Sequence, residues 1–197
     1  VVFSGFSLYD NLYINEQAKS GWDLIRYRPE IIEDGDTPLA SFAALQGINS
    51  SVSSWITLYD TNIDYPVAQG EDDLEYVNKN IYGEFSLSGS IYLAAANHSD
   101  FSDAYNLIYG HHMDNGAMFG DLDRYVDAGH FESHREGVVI TPDATYDLTV
   151  FAVLETDAYD SEVYNVTGVS GDTDALVSYL QANAVQFGSE EHTSELQ

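Results

Sequence analysis

Residues 106–122 read NLIYGHHMDNGAMFGDL, and the rest of the chain is organised around them. The run Asn106-Leu107-Ile108-Tyr109 is apolar and strand-like, and Gly110 ends it. Glycine lets a backbone approach its neighbours closely. His111 and His112 follow at once, so an imidazole stands at the mouth of a β-strand. Histidine is the side chain whose unperturbed pKa lies nearest neutrality, which suits it to proton transfer. Asp114-Asn115-Gly116 then has the composition of a tight turn, and is expected to send Met118 and Phe119 back into a core.

The bulk numbers bound the possibilities. A chain of 197 residues is one domain with extra terminal pieces. Hydrophobic residues make up 44% and aromatic residues 13%, enough for a core, and the 15 tyrosines favour β-structure. The formal net charge is −27, with 6 Lys+Arg against 33 Asp+Glu. Nucleic acid and anionic membrane surfaces are poor partners for such a chain, because little cationic charge is present to neutralise phosphates. There is no cysteine, which excludes disulfides and Cys-type zinc sites.

Outward from the histidines the pattern is mostly β. Residues 55–59 (WITLY), 63–69 (IDYPVAQ), 89–94, 106–109, 137–141 (GVVIT) and 145–156 read as six strands, with Pro66 marking an edge or a bulge. Helical spacing covers 11–28 up to Pro29, and 38–45, where Pro38 suits a first helical position. Short helices are expected at 72–79 and 119–126. Residues 163–166 read as a short strand or an irregular connection. A helix capped by Asp172 or Thr173 is expected to run to Ala184, with Ala175, Leu176, Tyr179 and Leu180 as its apolar stripe.

The strings WITLYDTNIDYPVAQ and NLIYGHHMDNGAMFGDL resemble class B sortases, the cysteine transpeptidases that attach proteins to the cell wall of Gram-positive bacteria. The resemblance covers about residues 11–185 and is strongest over 55–141. It implies a mostly β, α+β fold: a sortase-like antiparallel β-barrel with peripheral helices and an N-terminal helical segment. It also implies that His111 is catalytic, that Tyr109 walls the site and that His112 is a neighbour. Asp73 stands where the family often carries an asparagine near the site, and Ala94 stands where aspartate is common. The family's last two strands bear the cysteine, in a Thr-Leu-x-Thr-Cys pattern, and an arginine. Neither follows the last helix here, so the barrel is expected to be incomplete. Arg124 and Arg135 do not match that arginine and are expected to make surface ion pairs.

The implied organisation is residues 1–8 as the end of an N-terminal membrane anchor, 9–51 as N-terminal helices and 52–188 as the barrel. The tail 189–197 (SEEHTSELQ) resembles a translated sequencing adapter and is set aside, together with His192. The implied reaction needs no cofactor. Its partners are the Thr-containing sorting peptide of a secreted protein and an amine from a peptidoglycan precursor or a pilin. Its place is the extracytoplasmic face of the membrane. Without cysteine the chain itself lacks the nucleophile and is expected to be inactive. Two alternatives stand beside this: a non-catalytic surface module of sortase descent, and a metal-dependent hydrolase built on His98, His111, His112, His130 and His134. The second has no HExxH pattern to support it.

Overall fold

A computed structural model describes residues 20–29 and 39–188. The expectations for 1–8, 11–19, 30–37 and 189–197 lie outside those residues. A 3-10 helix, Ser20–Tyr27, and α1, Leu39–Ile48, come first. Strands β1 (Val52–Leu58), β2 (Asp64–Gln69), β3 (Ile91–Leu93) and β4 (Ile108–Tyr109) follow. A second 3-10 helix, Gly120–Val126, and α2, Ala128–Ser133, lead into β5 (Glu136–Ile140) and β6 (Thr145–Thr149). Then come β7 (Ala152–Val153), α3 (Ser161–Tyr164), α4 (Val166–Gly171), α5 (Thr173–Asn183) and β8 (Gln186–Phe187).

Six strands form one curled sheet in the order β4-β3-β2-β1-β5-β6, a half-barrel. Its pairs are antiparallel except β2–β3, which is parallel because residues 70–90 cross over before β3 begins. β7 and β8 make a separate two-stranded ladder. Among the described residues, β4 and β6 each have a strand partner on one side, so the sheet is open at both edges.

Alternation along the strands divides the apolar residues between two faces. Trp55, Ala68, Tyr92, Val138 and Ile140 pack beneath Leu24, Phe42 and Leu45 of the N-terminal helices. Leu58, Ile63, Tyr65, Val67, Ile91 and Leu93 face the other way, onto Met118, Tyr125 and Phe131. Complete burial of each such side chain is worth about 1.5–3 kcal/mol. The N-terminal helices therefore hold the outer face, and the segment after His111 fills the concave one.

Several expectations need correction. Residues 72–79 form turns rather than a helix. The Tyr76 carbonyl accepts from the Ser90 N–H at 3.1 Å, the Asn78 carbonyl from the Ser86 N–H at 3.0 Å, and the Asn80 N–H donates to the Glu84 carbonyl at 2.9 Å, so residues 84–90 take backbone groups that a helix would pair locally. The long strand expected over 145–156 breaks at Val150. There the Arg135 Nε donates to the Val150 carbonyl at 2.6 Å, and β7 leaves for its pairing with β8. Residues 163–166 lie in and between two short helices rather than in a strand, with N-caps at Asp160 and Asn165. Pro66 lies in an inner strand; pairing with β3 begins at Val67, so the missing N–H falls just outside that ladder. A register shift between Val52 and Ser54 lies nearby on β1. Residues 20–27 coil as a 3-10 rather than an α-helix.

Candidate active site at the end of strand β4

β4 is two residues long, with Tyr109 opposite Tyr92 and Ile108 opposite Leu93. The chain is steered into it by Asn97: its Oδ1 accepts the Leu107 N–H at 3.0 Å and its Nδ2 donates to Asp103 and to the Tyr105 carbonyl. Gly110 then passes so close to Ile91 and the Phe119 ring that a Cβ there would collide with both. His111 follows, half-buried.

The loop after His111 folds back as the sequence requires. Asn115 Oδ1 accepts the Ala117 N–H at 3.0 Å, and the Met113 carbonyl accepts the Gly116 N–H at 2.9 Å. Gly116 has φ of +79°, open to glycine without strain. The return closes where the Phe119 N–H donates to the His111 carbonyl at 3.0 Å and His112 bridges Met118. Met118 is buried and Phe119 packs on the concave core.

The four residues singled out from sequence separate into three settings. The His111 imidazole makes no hydrogen bond or ion pair among the described residues. His112 turns outward, its Nε2 at 2.7 Å from Asp123 Oδ2 and its Nδ1 at 4.0 Å from Asp114. Tyr109 lies between two rings: Tyr92 at 5.1 Å between centroids and Tyr164 of α3 at 6.3 Å with 4° between planes. Asp73 is exposed, and its Oδ1 accepts the Ala95 N–H at 2.7 Å just beyond the end of β3. Its charge reaches the tyrosines. Burial raises the Tyr109 phenol first, and the Asp73 charge adds to it. Burial likewise raises Tyr92 to about 12, with Tyr109 and Asp73 as lesser causes.

Reading the sequence missed Tyr92, Tyr164, Asp121 and Asp123. Tyr92 could have been found from the strand register; Tyr164 sits in the stretch mistaken for a strand or connection. Arg124 faces Asp121 at 3.8 Å, as an ion pair should. Arg135 instead bonds the Val150 carbonyl and lies over the Phe131 ring at 5.0 Å. The histidines that suggested a metal are dispersed. His98 pairs with Asp103, His112 with Asp123, and His130 stacks on His134 at 4.2 Å. Among the described residues, no three His, Asp or Glu side chains are grouped to hold a metal ion.

No protein-family model matches the chain. A solved structure does: a Streptococcus pyogenes class B sortase involved in pilus biogenesis, at 38% identity and TM-score 0.71, over 78% of this chain and 84% of that one. The chain belongs to the class B sortases. Sortase B of Bacillus anthracis, solved in complex with AAEK1, agrees at 28% identity and TM-score 0.72, over 92% of this chain and 85% of its own. Sortase B of Listeria monocytogenes is 34% identical over 137 residues, 70% of this chain. This sortase chain spans about half of that relative's length, 54%. The half-barrel is thus the sortase fold, with β4 and β6 at its edges.

Proposed function

We propose that this chain is the histidine-bearing part of a cysteine transpeptidase, with His111 as its general acid. The observation that carries the reading is the His111 imidazole, without a partner among the described residues, at the end of the edge strand β4. A reacting group brought alongside that edge would meet it.

On this reading a thiolate attacks the carbonyl carbon of a peptide bond in a Thr-containing sorting signal. The tetrahedral adduct collapses as the C–N bond breaks, and the His111 imidazolium gives its proton to the departing amine nitrogen. The product is a thioester. A second amine, from a peptidoglycan precursor or a pilin lysine, attacks that thioester; its nitrogen gives one proton back to the His111 imidazole as the C–S bond breaks, which leaves the new amide, the thiolate and the imidazolium. Tyr109, held between Tyr92 and Tyr164, and Asp73 beside it would line the peptide's path. The S. pyogenes relative's part in pilus biogenesis supports a pilin as partner. The parent would work at the outer face of a Gram-positive membrane.

The 197 residues hold no cysteine, so the thiol must come from outside them. The test has two arms. This chain, offered a quenched-fluorescent Thr-containing sorting peptide, is expected to show no cleavage. A polypeptide from the same locus that carries a thiol strand is expected to cleave it, with loss of at least about a thousandfold for His111→Ala. Cleavage that survives His111→Ala would overturn the assignment. A locus without any thiol would leave the second reading, a non-catalytic peptide-binding module, which the missing cysteine favours.

A further inference from the structure

The His111 imidazole has no side-chain partner of its own among the described residues, so its position is set by the backbone that carries it. That backbone is closed on itself by the Phe119 N–H to His111 carbonyl bond. What fixes the loop to the rest of the molecule comes from two distant places. The Tyr65 hydroxyl, in the middle of β2, accepts the Met118 N–H at 3.0 Å across 53 residues of sequence. Asp121, just after the loop, accepts the Asn62 N–H in the β1–β2 turn at 2.7 Å across 59 residues. The other Asp121 oxygen faces Gly116, where an added Cβ would come within 2.5 Å of it, so that only glycine leaves it room. Asp121 is 7% exposed and Tyr65 3%. A buried carboxylate held by a backbone N–H is costly to leave half-made.

Met118 itself sits at φ +53°, in the left-handed region that a non-glycine residue rarely adopts. Such a conformation persists when its surroundings over-determine it. Here they do: the Tyr65 hydroxyl holds its N–H and the apolar core holds its side chain.

We propose that Asp121 and the Tyr65 hydroxyl are positioning residues for His111, clamping residues 110–120 onto the β1–β2 hairpin so that the imidazole is presented at one place beside the β4 edge. Neither touches a reacting atom; both act through Met118, Gly116 and the Phe119–His111 closure. The assignment rests on His111 being the acid, but its measurement does not: loop order is read in this chain, without any transfer reaction.

The experiment compares Tyr65→Phe, Asp121→Ala and Asp121→Asn with the unaltered chain by NMR. Its readouts are the His111 ring signals and the exchange rates of the Met118 and Phe119 amides. Tyr65→Phe and Asp121→Ala are expected to speed exchange at Phe119 about fivefold or more, as for one lost hydrogen bond, and to broaden or shift the His111 ring signals. Asn can still accept from Asn62, so Asp121→Asn is expected to restore both. The amides of Val138, Val139 and Ile140 on β5 are expected to stay as they were. Unchanged His111 signals and Phe119 exchange in both Tyr65→Phe and Asp121→Ala would overturn the proposal. So would an equal acceleration at β5, which would make the two groups general supports of the fold. If Asp121→Ala fails to fold, Tyr65→Phe, which removes a single oxygen, still decides. Failure of His111 as acid would appear in the peptide-cleavage assay, not here.

Discussion

Tyr109 lies directly across the β3–β4 ladder from Tyr92, and their rings meet at 5.1 Å between centroids with 30° between planes. Tyr164, from the helical excursion between β7 and β8, stacks on the far side of Tyr109. A two-residue strand makes few ladder hydrogen bonds, so these rings tie β4 and the excursion together. Tyr109→Leu keeps apolar bulk and removes both ring pairs. With each pair worth about 0.5–1.5 kcal/mol, the expected loss is about 1–3 kcal/mol in urea unfolding. A midpoint unmoved by the change would mean the stack contributes nothing.

The same cluster has an alkaline signature. Burial lifts the Tyr92 phenol to about 12 from its ordinary 10.0. The unfolded phenol ionises first, so this contribution to stability is intact below pH 10 and is lost as pH rises toward 12. Tyr109 is raised by burial and then by Asp73. Asp73→Asn removes that charge, so the Tyr109 phenol is expected to ionise at lower pH than in the unaltered chain, read by spectrophotometric titration. An identical titration curve would show that Asp73 does not act on the ring.

The loop that feeds β4 carries an opposing pair. The backbone N–H of His98, the Asn97 side chain and the His98 ring hold the Asp103 carboxyl down to about 2. The Asp103 hydrogen bond in turn raises the His98 imidazole. Asp103 supports the fold above its ordinary 3.8 and loses that support as pH falls toward 2. His98 supports it below its ordinary 6.5 and loses that support as pH rises through its raised value. Protection of the Leu107 amide, which Asn97 accepts, is therefore expected to be greatest between about pH 4 and 6.5. Asp103→Asn should flatten that profile in hydrogen exchange; a profile already flat in the unaltered chain would count against the pair.

Period and punctuation made much of this legible in the sequence. Trp55 and Ile56 alternate between two covered faces, Gly110 and Gly116 mark a close approach and a tight turn, and Asp172 caps α5 by accepting the Ala175 N–H at 3.0 Å. What failed was local competition. The Tyr76 and Asn78 carbonyls and the Asn80 N–H bond to residues 84–90 and hold 72–79 out of a helix, which propensity alone cannot anticipate. Asp160 and Asn165 are helix caps in a stretch whose pattern read as a short strand or an irregular connection, because each helix they start is only four to six residues long. At the site, His111 and Tyr109 were reachable from one stretch of sequence. Asp121 and Tyr65 were not, because their bonds to Asn62 and Met118 join segments more than fifty residues apart.

The two edges of the sheet differ in how they are protected. Edge strands with unpaired N–H and C=O groups recruit other strands unless charge or proline blunts them. β6 carries the exposed Asp147 at its centre, and its Tyr146 hydroxyl reaches the Asp100 carbonyl at 3.3 Å. β4 and its approach, Leu107-Ile108-Tyr109, carry no charge. Self-association is therefore expected to run through β4, with concentration-dependent sedimentation and marked ANS fluorescence. Leu107→Lys, at the half-buried residue just before β4, should reduce both. Asp147→Val should open the second edge and raise them further. A chain that stays monomeric at every concentration, melts in one sharp transition and ignores Asp147→Val would show that the half-barrel's edges are covered in solution.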